Sequence, residues 1–68
     1  MRFEVSEKIA GAHVKTFDNV GFATVVDCVR AMLTHSNDKL VIWHDGKRVA
    51  EISPHNATSW IHPDWRLL

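Results

Sequence analysis

The chain opens on an alternation. Phe3, Val5 and Ile9 are apolar, while Arg2, Glu4, Ser6 and Lys8 between and around them are polar. A period of two marks a strand with one buried face. Ala10-Gly11 punctuates the run, because glycine takes backbone angles that other residues avoid. Ala12 to Phe17 then reads as a return strand, with Val14 pointing inward and His13 and Lys15 outward. The N-terminus is therefore expected to be a strand or a hairpin.

After Phe17 the period changes. Asp18-Asn19 has the chemistry of a helix entrance, since either side chain can accept from the unpaired first-turn amides. From Val20 to His35, the apolar residues Phe22, Val25, Val26, Val29, Met32 and Leu33 recur at helical spacing. They span about 120° of one face. Thr24, Asp27, Arg30 and Ala31 fall on the other side or its margins. The valines lower intrinsic helix propensity slightly, so packing against a sheet must hold this helix. His35 sits in the last turn, where the dipole favours positive charge, and Ser36-Asn37-Asp38 ends the element.

Leu40 to His44 and Lys47 to Ile52 are two strand-like runs joined by Asp45-Gly46. Asp-Gly suits a type I′ hairpin turn, which needs positive φ at both central residues. With a two-residue loop and regular pairing, His44 faces Lys47, Trp43 faces Arg48, Ile42 faces Val49 and Val41 faces Ala50. Trp43 opposite Arg48 invites a cation–π contact worth about 0.5–1 kcal/mol. In that register Leu40, Ile42 and Val49 share one side, and Val41, Trp43, Ala50 and Ile52 share the other. One helix covers only one face of a sheet. The second face then needs a cover, which is either the C-terminal tail Ser59–Leu68 folded back across it or another molecule. The tail carries Trp60, Ile61, Trp65, Leu67 and Leu68, with Pro54 and Pro63 excluding a central strand. An irregular tail with a short helical turn is expected.

Composition narrows the class. The 68 residues, 46% hydrophobic and 24% charged, form one domain spanning residues 1–68. So short a chain buries only about 60% of its unfolded surface, which leaves little room for a deep pocket beside a core. Cys28 is the sole cysteine, so no intrachain disulfide forms, as in a reducing compartment. Eight basic and eight acidic residues balance to zero, against the basic face that a general nucleic-acid binder needs. There is no membrane-length apolar run. Met1-Arg2-Phe3-Glu4-Val5 enters a strand pattern without signal-peptide layout. The expected localisation is cytoplasmic, and Asn56-Ala57-Thr58 then matches a glycosylation sequon by chance.

The candidate chemistry is thin. His13, His35, His44, His55 and His62 lack paired ligand spacing, although His44, His55 and His62 would converge if the tail folds onto the hairpin. Surface histidines, with one or two bridging polar groups, are the plainer reading. Cys28 borders the helix's apolar face, where a thiol is packing rather than nucleophile. Asp18, Asp27, Asp38, Asp45 and Glu51 are scattered, and the glycines form no phosphate loop. No catalytic, cofactor or metal residues are assigned, and an enzyme is not expected.

The fold expected is α+β: an antiparallel sheet, from the N-terminal strand or hairpin plus the C-terminal hairpin, packed on one amphipathic helix, with an irregular aromatic tail. The function expected is that of a non-catalytic protein-binding module, a small regulator or inhibitor. Small size, a chain that reads as whole from Met1 and the lack of chemistry fit the products of bacteriophages or mobile elements. Its contact residues are Trp43 and Arg48 on the hairpin and Trp60, Trp65, Leu67 and Leu68 on the tail, since aromatic anchors dominate binding hot spots. Of the tail residues, Trp60 is expected to complete the core. The partner is another protein, or a second copy through the tail or a strand edge. The alternative is a nucleic-acid accessory protein that uses Lys39, Lys47, Arg48 and Trp43, although Asp38, Asp45 and Glu51 interleave with those cations. A metal-assisted fold is a third possibility.

Overall fold

The computed structural model describes residues 1–7, 11–35, 39–54 and 59–65. Ile9, the Ala10 of the first punctuation, Ser36-Asn37-Asp38, His55, the sequon at Asn56 and the terminal Leu67 and Leu68 lie outside the described residues. The elements are β1 (Arg2–Ser6), β2 (His13–Asp18), α1 (Phe22–Met32) tightening into a 3₁₀ turn (Leu33–His35), β3 (Leu40–His44), β4 (Lys47–Ile52) and β5 (Trp60–Ile61). They form the expected α+β domain, one helix on one antiparallel sheet of order β2-β1-β3-β4-β5. The first strand of the chain is an interior strand of the sheet. β2 and β3 flank it, so α1 carries the chain across β1.

The helix face is built from the positions that periodicity marks. Phe3, Val5, Phe17, Leu40, Ile42, Ala50 and Ile52 pack beneath Phe22, Val25, Val26, Val29 and Leu33. Cys28 and Met32 are half-buried against this core, as the border of an amphipathic stripe requires. The hairpin turn is as its sequence demands, with φ of 52° at Asp45 and 76° at Gly46.

Three local expectations are corrected. Asp18 and Asn19 do not cap the helix. Asp18 ends β2, Asn19 turns the chain in the left-handed region (φ 58°) and Gly21 is the N-cap, without a side-chain bond. Asn19 tolerates that conformation better than most residues, and its N–H donates to the Met1 carbonyl at 3.0 Å. Val14 does not point into the core: it is 37% exposed. Lys15 pairs with Val5 and His13 with Ser6, so Val14 is an extra residue in a bulge. Phe17 decides this, because burying it places Phe17 and Lys15 on the helix side, and the bulge then returns His13 to the other.

The third correction is the register of β3 and β4. His44↔Lys47 and Trp43↔Arg48 hold, but Ile42 then faces Ala50, Val41 faces Glu51 and Leu40 faces Ile52. Val49 is the additional residue. Regular pairing would set Glu51 beside Leu40 on the helix side and expose Ala50 and Ile52 on the other. The bulge reverses this: Val49, Ala50 and Ile52 are all buried, and Glu51 turns outward. Burying two apolar side chains while keeping a carboxylate out of the core, where Lys39 and Arg48 pair with it, outweighs one interrupted step of the ladder.

The tail also differs from expectation. Its described residues, 59–65, do not lie across the second face but extend the sheet. Trp60 pairs with Glu51 and Ile61 with Ala50, and the His62 N–H donates to the Val49 carbonyl at 2.8 Å. The Trp65 N–H donates to the His62 carbonyl at 3.2 Å, turning the chain round the sheet edge. Trp65 then stacks on Phe22 of the helix, with ring centroids 4.2 Å apart. The core thus takes Trp65, while Trp60 stays 36% exposed. Side-chain period explains the difference. Trp60, opposite Glu51, points away from the helix, and Ile61 takes the inward position.

Candidate functional site

Among the described residues, polar and aromatic side chains gather on the sheet face opposite the helix. It carries Arg2, Glu4 and Ser6 from β1, His13, Thr16 and Asp18 from β2, Val41 and Trp43 from β3, Arg48 and Glu51 from β4, and Trp60 from β5. Each lies directly across from another in the ladder, so pairs rather than a continuous core organise it.

Arg48 and Glu51 come together through the bulge. Three positions apart in a regular strand, they would face opposite ways. With Val49 inserted they share a face, and Arg48 Nη1 donates to Glu51 Oε2 at 2.8 Å. Lys39 Nζ pairs with the other oxygen of the same carboxylate. The Arg48 guanidinium also lies over the Trp60 ring, 4.9 Å from its centroid. The cation–π contact expected between Arg48 and Trp43 is thus made with Trp60 instead, because Glu51 draws the guanidinium towards β5. His62 closes this corner, edge-on to Trp60 at 5.7 Å, and its Nδ1 accepts from the Asp64 N–H at 3.0 Å.

Trp43 is held differently. Its indole Nε1 donates to Ser6 Oγ at 2.9 Å, which swings the ring towards β1. It borders a trough of about 240 Å³ lined by Glu4, Ser6, Gly11, His13, Trp43 and Gly46. At the outer edge, Arg2 Nε donates to Asp18 Oδ1 at 2.7 Å. Asp18, through that hydrogen bond first and its charge second, holds the Arg2 guanidinium above its ordinary pKa.

The histidines serve separate local ends. His44 is buried against Phe3, and its Nδ1 lies 2.9 Å from the Arg2 carbonyl. A carbonyl only accepts, so Nδ1 carries a proton there. Arg2 lies beyond the last β1–β3 pair, and the imidazole supplies the hydrogen bond that the ladder no longer offers. His13 and Thr16 are hydrogen-bonded side chain to side chain at 3.2 Å. Among the described residues, no three His, Cys, Asp or Glu side chains gather as metal ligands would. No helix among them is long and apolar enough to cross a membrane.

Of the contact residues marked by sequence, Trp43, Arg48 and Trp60 share this open face. Trp65 is on the helix side, and Leu67 and Leu68 lie outside the described residues. Sequence reading missed Glu4, Ser6 and His13 as neighbours of Trp43. Their alternation was visible, but which strand lies beside which is a property of the sheet order. Comparison with known proteins returns no significant match to a family model, a curated protein or a solved structure.

Proposed function

We propose that this chain is a non-catalytic protein-binding module, a small regulator or inhibitor acting in the cytoplasm, and that the open sheet face is its contact surface. The observation that carries this reading is Trp60. A tryptophan more than a third exposed, beside a half-buried arginine and on the same face as a second tryptophan, has the residue chemistry of a binding hot spot. Exposed Ile61 extends the apolar surface round the edge of the sheet.

The second reading, nucleic-acid contact through the hairpin, draws on Trp43 as a stacking platform. The pairing of both Lys39 and Arg48 with Glu51 weighs against it, since it leaves the hairpin little positive charge for phosphate.

The test compares the wild-type chain with a Trp60→Ala, Arg48→Ala variant in affinity capture from the source cell. A protein retained by the first and lost by the second supports the reading. Sedimentation at two concentrations tells whether that protein is a second copy. Binding to a single-stranded oligonucleotide that collapses between about 50 and about 200 mM salt would replace it with the nucleic-acid reading.

A further inference from the structure

Arg48 shows how this face holds a cation. Glu51 and Trp60 are directly opposed in the β4–β5 ladder. The Arg48 guanidinium rests on the Trp60 ring and hydrogen-bonds the Glu51 carboxylate. Two attractions act at once, one from the ring quadrupole and one from the carboxylate.

The same pair recurs farther along the same face, between β1 and β3. Glu4 and Trp43 are directly opposed in the β1–β3 ladder. Trp43 is half-buried and pinned by Ser6, so its ring is already in place. Glu4 is exposed and, among the described residues, its side chain makes no hydrogen bond or ion pair. Arg2, on the same strand, is committed to Asp18. Arg48 stands across from Trp43 but gives its guanidinium to Glu51 and Trp60. Beside this second Glu–Trp pair runs the trough of about 240 Å³, whose rim includes Gly11 and Gly46, residues without side chains to block it. It has room for one long side chain.

We infer that the Glu4–Trp43 pair is a receptor for a single cationic side chain, lysine or arginine, presented by a protein partner. The inference rests on the protein-binding reading and names the chemistry of the partner's anchor. The alkyl stem lies along the trough, the charged head meets the Glu4 carboxylate, and the Trp43 ring forms the wall.

The experiment is an NMR titration of the whole chain with acetyl-Ala-Lys-Ala-amide and with the same peptide carrying norleucine, which keeps the alkyl stem and removes the charge. The Trp43 indole signal is identified by its loss in Trp43→Phe. The lysine peptide is expected to move the Trp43 Nε1–H and the Glu4 amide, saturating at about millimolar concentration, and norleucine is expected to leave both in place. Glu4→Gln, an exposed substitution whose spectrum reports its fold directly, is expected to weaken the lysine peptide at least about fivefold. Equal response to norleucine, or unchanged affinity in Glu4→Gln, overturns the inference. A protein captured through Trp60 with affinity indifferent to Glu4→Gln would retire the receptor and leave the wider reading standing. A trough that takes lysine in a chain that captures no protein would do the reverse.

Discussion

Beneath the helix, Phe3, Val5, Ile42 and Ile52 are almost wholly removed from water, and each touches others of its kind. On the opposite face of the same strands, Arg2 meets Asp18, Trp43 meets Ser6, and Arg48 meets both Glu51 and Trp60. The first face is held by area, which is non-directional and insensitive to which apolar residue supplies it. The second is held by pairs, each of which depends on register. That difference separates what this domain needs to fold from what it presents. It also sets a hierarchy of substitutions by which the comparison can be broken or sharpened.

The largest effect is expected on the covered face. Ile42→Ala, at the centre of the sheet, should cost about 3 kcal/mol. A domain this small has roughly 3–5 kcal/mol in total, so about 0–2 kcal/mol should remain and the urea midpoint should fall by more than about half. The two tail tryptophans come next and should diverge. Trp65→Ala removes the stack on Phe22 and is expected to cost about 2 kcal/mol, whereas Trp60→Ala should cost less than about 1 kcal/mol. Comparable losses in paired thermal melts would mean that the tail is packed on both sides of the sheet, contrary to its path here.

A smaller effect is expected at Glu51. Replacing it by Gln removes the charge that Lys39 and Arg48 share, for about 1 kcal/mol. A double-mutant cycle with Arg48→Ala would show coupling, and independence of the two would dissolve the pairwise account of the open face. The smallest is Glu4→Gln, which should change stability by no more than about 0.5 kcal/mol in the same denaturation series. A large loss there would mean that Glu4 belongs to the folding machinery and not to the presented surface.

Much of the covered face was legible in the sequence. The helical spacing from Phe22 to Leu33, the alternation around Phe3 and Val5, and the Asp45-Gly46 turn each express a local periodicity or a backbone demand. The open face was less legible because it depends on two bulges. Nothing local to Val14 or Val49 announces an extra residue. Each arises because a distant requirement, burying Phe17 in one case and Ile52 in the other, overrides regular pairing. The same long-range logic exchanged the expected roles of Trp60 and Trp65. An apparent apolar second face, drawn from regular register, became a mostly polar one once Ala50 and Ile52 turned inward. Helix capping failed for a nearer reason: Asp18 is the partner of Arg2 and is therefore held in the strand.

The position of β1 carries a kinetic consequence. β1 must be flanked by one strand close to it in the chain and one far from it, and its bond from Trp43 to Ser6 joins residues 37 apart in sequence. Closing so wide a loop is entropically slow compared with forming either hairpin. The β1–β2 and β3–β4 hairpins can each flicker into being within microseconds, but neither has a core until they dock. During synthesis the growing polypeptide therefore stays unassembled until β3 has left the ribosome, and docking of the two hairpins under the helix is the step that sets the folding rate.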